Sequence, residues 1–235
     1  MYQVLKNILF KIDPELAHDL SLKEFSRNPY YLRKLFAGLD TSEMQEVKSH
    51  NMTWRNRLGL AAGFDKNAIA LDFLNHLGFG AIEIGTVTLK PQDGNDKPRM
   101  WRHPKEKSLR NALGFPCKGA DYVKKNTSSY SGAASLGINI GKNKKTSLAK
   151  CPGEYRKLVE IFEEDADYLV INVSSPNTKN LRKLQDQVFL KEILDEVNAQ
   201  RILKVPVYIK ISPDEDWSDS DQFVEFLVDQ KIQGL

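Results

Sequence analysis

The chain has 235 residues, 41% hydrophobic and 28% charged, a composition that supports one sizeable core and excludes a disordered polypeptide. Thirty-four Lys and Arg against thirty-one Asp and Glu leave a net charge of +3, too balanced for a dedicated nucleic-acid binder. Two cysteines, Cys117 and Cys151, are too few for a secreted disulfide framework or a four-cysteine zinc site and fit a reducing compartment.

Met1, Val4, Leu5, Ile8, Leu9 and Ile12 fall on one helical stripe, with Gln3, Lys6, Asn7 and Lys11 off it. Asp13-Pro14 reads as an N-cap and first-turn proline opening a second helix, whose apolar side is Leu16, Ala17, Leu20 and Phe25. Asn28-Pro29 breaks it, and Tyr30, Tyr31, Leu32, Leu35 and Phe36 add apolar bulk. Lys6 and Lys11 interrupt the apolar start, and no small-residue cleavage site follows, which argues against a secretory signal. No apolar window is long enough to span a bilayer. The pair is either a cap on a larger domain or an interfacial, membrane-contacting element.

Residues 41–56 are polar and read as a linker, giving three parts: a helical extension over 1–40, the linker, and an α/β domain over 57–235. Within the last, runs rich in β-branched residues predict buried strands at Leu58–Ala62, Gly80–Val87, Leu136–Gly141, Tyr168–Val173 and Val205–Ile211. Helix-spaced segments lie between them: Ile69, Phe73 and Leu77; Tyr155, Leu158, Val159 and Phe162; Leu190, Ile193, Leu194 and Val197. Alternation of strand and helix implies parallel strands joined by crossovers. Ser218 and Asp221 suggest a capping box for one more helix through Phe223, Phe226 and Leu227, before Ile232–Leu235 begins a sixth strand.

Each strand ends in a polar cluster: GFDKN, GTVT, NIGKN, NVSSPNT and KISPD. In a parallel barrel these ends converge on the face where the reacting site is built. A doubly wound sheet would carry a glycine-rich loop after its first strand, whereas Gly78-Phe79-Gly80 precedes a strand. The expected fold is therefore a (β/α)8 TIM barrel, incomplete in this chain at about five strands plus the start of a sixth. Gly, Asn and Ser-Pro are also ordinary turn residues. Five such clusters, two with a lysine at the strand end (Lys66 and Lys210), still point to a site for an anionic ligand or a developing negative charge. The four histidines form no metal-ligand pattern, no G-x-S-x-G elbow occurs, and neither a metal nor a hydrolase triad is expected.

The strings NRLGLAAGFDKN (56–67), GFGAIEIGTVTLKPQDGNDKPRMWR (78–102), NALGF (111–115), NVSSPNTKNLR (172–182) and VPVYIKISPD (205–214) resemble the dihydroorotate dehydrogenases. FKIDPELAH, at the start, resembles the N-terminal extension of their quinone-dependent, membrane-associated class (class 2). The resemblance implies oxidation of dihydroorotate to orotate in pyrimidine biosynthesis, with electrons passing to FMN and on to a membrane quinone. It implies FMN contacts from Ala62, Gly63, Phe64, Asp65, Lys66, Thr86, Asn139, Asn172 and Lys210. Substrate contacts fall on Lys66, Asn111, Ala112, Leu113, Gly114, Phe115, Asn172 and Asn177, and the catalytic base on Ser175. Thr178 and Phe115 are expected to form the proton exit from that serine.

The same resemblance makes residues 1–39 two helices resting on the membrane and framing a quinone tunnel, on the cytoplasmic side of a bacterial membrane. Pro116 and Cys117 depart from the expected pair of Asn residues beside the substrate loop, and the family's C-terminal third has no counterpart in these residues. Two other readings follow: an inactive fragment or membrane-docking remnant of such an enzyme, or another FMN barrel acting on a related pyrimidine.

Overall fold

The computed structural model describes residues 2–30, 44–49, 52–178, 181–202, 205–212, 214 and 220–235. Helix α1 spans Tyr2–Leu9 and α2 spans Pro14–Arg27, and the expected cap forms: Asp13 Oδ1 accepts from the Leu16 backbone N–H at 2.9 Å. Asn28 ends α2, as the Asn-Pro break predicts. Tyr31, Leu32, Leu35, Phe36 and Ser218 lie outside the described residues. Among the described residues no helix is long and apolar enough to cross a membrane.

The polar stretch read as a linker contains a short antiparallel ladder, β1 (Val47–Ser49) with β2 (Met52–Trp54). After it, β3 (Gly59–Leu60) is shorter than its sequence run, because only two residues pair with β4 (Ala81–Val87). A second hairpin, β5 (Met100–His103) and β6 (Ser108–Asn111), precedes β7 (Ser135–Ile140), β8 (Tyr168–Asn172) and β9 (Val207–Lys210). Strands β3, β4, β7, β8 and β9 lie in that order, all parallel. Gly234 then bridges Tyr208 in parallel, with Ile209 N–H donating to Gly234 O at 3.0 Å and Gln233 N–H to Val207 O at 2.9 Å. The start of a sixth strand expected at Ile232–Leu235 thus shows as a parallel bridge at Gly234.

Helices α3 (Leu71–His76), α4 (Ala120–Thr127), α5 (Cys151–Phe162), α6 (Gln187–Gln200) and α7 (Ser220–Asp229) connect the strands. Their apolar faces close over the sheet: Tyr155, Leu158, Val159 and Phe162 of α5 and Leu190, Ile193, Leu194 and Val197 of α6 are fully buried. Every residue of β8 is buried, as expected for a strand covered on both faces. A smaller cluster, Ala81, Tyr168 and Val170 with Met52, Trp54 and Tyr208, fills the other face of the sheet near the strand starts. Helix α2 docks on the barrel side through Phe25, which stacks on Phe73 of α3 with ring centroids 4.0 Å apart.

Candidate functional site at the strand ends

A cavity of about 1150 Å³ opens at the C-terminal ends of the strands and continues between α1 and α2. Its barrel end is polar, with Thr86, Asn172, Ser175 and Lys210, and its outer walls are apolar, with Leu5, Leu9, Leu20 and Phe25. Pleating explains the polar end. Thr86, Asn139 and Asn172 each stand at or near the end of neighbouring strands, where alternation points them to the same side.

These three side chains form one buried network. Thr86 Oγ1 donates to Asn139 Oδ1 at 2.6 Å, and Asn172 Nδ2 donates to Thr86 Oγ1 at 2.9 Å and to Asn139 Oδ1 at 3.2 Å. Asn139 Nδ2 donates onward to Glu83 at 2.8 Å, while Asn172 Oδ1 accepts from the Ser174 backbone N–H and hydroxyl at 3.1 and 2.9 Å. The Tyr155 hydroxyl supports the Asn172 carbonyl from below at 3.3 Å. Gly85 is required here: its φ is +110°, and a Cβ would stand 2.4 Å from the Asn139 carbonyl oxygen.

The loop after β3 is fixed by Asp65, which is buried and accepts backbone N–H groups from Asn67, Ile69 and Ala70 at 3.3, 3.1 and 2.8 Å. Lys66 donates to Gly63 O at 2.8 Å, and Gly63 N–H in turn reaches Gly85 O at 2.8 Å. Burial pushes the Lys66 ammonium below its ordinary value, against the pull of Asp19, Glu15 and Asp65.

Of the residues that the family pattern assigns to FMN or substrate, Ala62, Gly63, Phe64, Lys66, Thr86, Asn111, Leu113, Gly114, Phe115, Asn172, Asn177 and Lys210 all line this cavity, together with Ser175. Asp65, Asn139, Ala112 and Thr178 are not among its lining residues. Asp65 and Asn139 hold the backbone and the Asn172 amide as described, and Ala112 N–H bonds to Arg99 O at 2.8 Å. Thr178 is 2% exposed, and its Oγ1 finds no hydrogen-bond partner among the described residues. Ser175 Oγ accepts from the Asn177 backbone N–H at 3.2 Å.

Several residues at the site carried no role in the sequence reading. Asn95 ties the two substrate-side loops together, its Nδ2 donating to Ala112 O at 2.9 Å and Asn177 O at 3.0 Å. Gln92 holds Gly114 O and Phe115 O at 3.2 and 2.9 Å. Arg99, 6% exposed, pairs with the buried Glu15 of α2 at 2.6 Å and donates to Asp93 O and Asn95 O, so the helix pair is bolted to the loop under the site. His18 of α2 stands edge-on to Phe64 at 5.2 Å, with Nε2 buried and unpartnered among the described residues. Burial, and then Lys66, keep its pKa below the ordinary 6.5. The string containing Gln92, Asn95 and Arg99 was visible in the sequence. Gln92 and Asn95 reach backbone carbonyls 17 to 82 positions away, and Arg99 the Glu15 carboxylate 84 positions back, which no local spacing reveals.

Comparison with known proteins gives a consistent result. The family model described as dihydroorotate dehydrogenase matches residues 44–235. A relative named dihydroorotate dehydrogenase (quinone) from a Nitratiruptor species is 42% identical over 241 residues, covering 100% of this chain and 68% of its own length. One of the same name from a Sulfurovum species is 40% identical over 247 residues, covering 100% and 67%. The crystal structure of DHODH from Eimeria tenella in complex with ferulenol superposes with a TM-score of 0.82 at 32% identity, over 97% of this chain and 68% of that one. The ligand-free form superposes with a TM-score of 0.81. The strand order and crossovers are therefore those of a TIM barrel, and the chain spans about two thirds of the length of the relatives it matches.

Proposed function

Because the chain belongs to the dihydroorotate dehydrogenase family, an oxidoreductase family, we propose that it serves the oxidation of dihydroorotate to orotate in pyrimidine biosynthesis, with FMN at the strand ends and a membrane quinone entering between α1 and α2. The observation that carries this reading is one continuous cavity, polar where the strands end and apolar between the helices. One end suits a pyrimidine and a flavin, the other an isoprenoid-tailed acceptor.

The residues present fit a flavin. Gly63, at φ +108°, has open space where a side chain would stand, so a flat ring system can approach the backbone there. Thr86 and Asn172 offer both donors and acceptors to the ring edges, and Lys210 offers a fixed positive charge. Bound at this position, FMN would accept the two electrons leaving the substrate and pass them to the quinone.

The chain's own residues supply the rest. Lys66 pairs with the substrate carboxylate, and Asn111, Asn172 and Asn177 read the amide and carbonyl edges of its ring. Ser175 takes the proton from carbon 5 as hydride leaves carbon 6. A serine is a poor base alone. The buried, unpartnered Thr178 hydroxyl, three residues along the same loop, is the group we assign to carry that proton outward, with Phe115 closing over the path. Helices α1 and α2 rest on the cytoplasmic face of the membrane as a peripheral anchor.

Ser175→Ala tests the assignment. Reduction of the flavin by dihydroorotate should fall by about a hundred- to ten-thousand-fold, while orotate binding persists. A near-native reduction rate overturns Ser175 as the base, and activity retained by Ser175→Cys would support the position as one for a general base. The chain spans 68% of the length of the Nitratiruptor relative. Flavin content of the purified protein checks the reading independently of turnover, since bound flavin makes it yellow.

A further inference from the structure

We propose that the β5–β6 hairpin is a second membrane contact, an electrostatic arm that binds anionic phospholipid headgroups beside the apolar helix pair. This rests on the reading of α1 and α2 as membrane-facing and extends it to a hairpin inserted between two strands of the barrel.

Register divides the hairpin into two faces. Met100, Arg102, Leu109 and Asn111 are cross-strand partners that all line the cavity, and Trp101 with Arg110 and His103 with Ser108 occupy the opposite face. All of β6 and the turn that joins it to β5 are exposed. Leu109 is 55% exposed, although it is the large apolar residue of its strand. A two-stranded ribbon is marginal in water on its own. This one is braced on the helix pair: Arg102 Nη1 donates to Ile12 O at 2.7 Å, and its guanidinium lies over the Phe10 ring at 4.9 Å. The hairpin and the turn between α1 and α2 therefore form one rim of the cavity mouth.

Charge on the hairpin is one-sided. Arg102, Lys105, Lys107 and Arg110 face a single carboxylate, Glu106, within the hairpin, while the whole chain is nearly balanced at 34 cations to 31 anions. Beside them stand exposed apolar residues, Ile8 at 58%, Phe10 at 47% and Leu20 at 50%. Cations next to apolar side chains match an anionic lipid surface, where headgroups meet the first and acyl chains the second. A nucleic acid would leave the apolar residues unmatched.

The test is sedimentation of the full chain with phosphatidylcholine vesicles and with vesicles of equal parts phosphatidylcholine and phosphatidylglycerol. The wild type should prefer the mixed vesicles. Lys105→Glu with Lys107→Glu, at the exposed turn, should weaken binding to them by at least about 25-fold, about fivefold for each cation lost with repulsion from the two new carboxylates added, and leave binding to phosphatidylcholine unchanged. Lys125→Glu with Lys157→Glu, the same charge change on the outer helices, should have no such effect. Equal binding of the hairpin variant and the wild type to mixed vesicles overturns the proposal. So does indifference to vesicle charge with retention on a heparin column through the same lysines, which would assign the arm to an acidic polymer. Leu5→Asp with Ile8→Asp reports on the helix pair alone: it should lose binding to both vesicle types, and full retention would refute the helix reading without touching the hairpin result.

Discussion

The two ends of the same strands do opposite work. Strand β8 enters with Tyr168 and leaves with Asn172, β9 places Tyr208 one residue after its start and ends on Lys210, and β4 runs from Ala81 to the Thr86 end. At the leading end, Tyr168 packs against Trp54 at 5.1 Å and Tyr208 at 5.6 Å between ring centroids. At the exit end, the sequence alternates into amides and hydroxyls that satisfy one another while facing a cavity. One face of a parallel sheet can thus be a packed plug at one end and the polar floor of a cavity at the other, with a few residues of strand between them.

Truncating the plug should produce the largest loss of stability. Tyr168→Ala removes the ring at the centre of the leading-end cluster and should cost about 3–5 kcal/mol in urea unfolding. Gly137 makes room for that ring, since a Cβ there would stand 2.2 Å from Tyr168 Cζ, so Gly137→Ala should also destabilise, by about 1–3 kcal/mol. If either change spared stability but removed ligand binding, the division of labour between the ends would fail.

The bolt between the helix pair and the exit end comes next. Glu15 pairs with buried Arg99, and the hydrogen bond from Arg99 is the main cause of a Glu15 pKa below the ordinary 4.5. A depressed carboxylate contributes stability that is complete above its unfolded value and is lost as pH falls through the folded one. Glu15→Gln should therefore be less stable than wild type by about 1.5–3 kcal/mol at neutral pH, and the gap should close as pH drops below about 4.5. A gap independent of pH would place the cost in packing instead.

A smaller effect than truncating Tyr168 belongs to the polar network. Asn172→Ala leaves Thr86 and Asn139 one donor short and should cost about 1–3 kcal/mol, yet weaken flavin binding more than any leading-end change of equal cost.

Much of this was legible in the sequence where local physics dominates. Asp13-Pro14 specified a helix start, and the β-branched runs specified buried strands. Polar clusters after those runs marked the residues that border the cavity, because a parallel barrel gathers its strand ends on one face. What escaped was held by distant partners. The hairpin β5–β6 has an exposed or half-exposed side chain at every position, so it shows no apolar alternation. Helix α4 buries only Ala120, Val123 and Thr127, too few to mark a stripe. His18 sat among the residues of an amphipathic helix, and its place against Phe64 depends on how α2 docks.

The most direct test of the account is an FMN titration of the purified chain, followed by flavin fluorescence, in wild type, Lys210→Met, Asn172→Ala and Tyr168→Phe. The account predicts saturable FMN binding by wild type and Tyr168→Phe, weakened about tenfold or more in each exit-end variant. Equal affinity in all four proteins, or no binding in any, would contradict it.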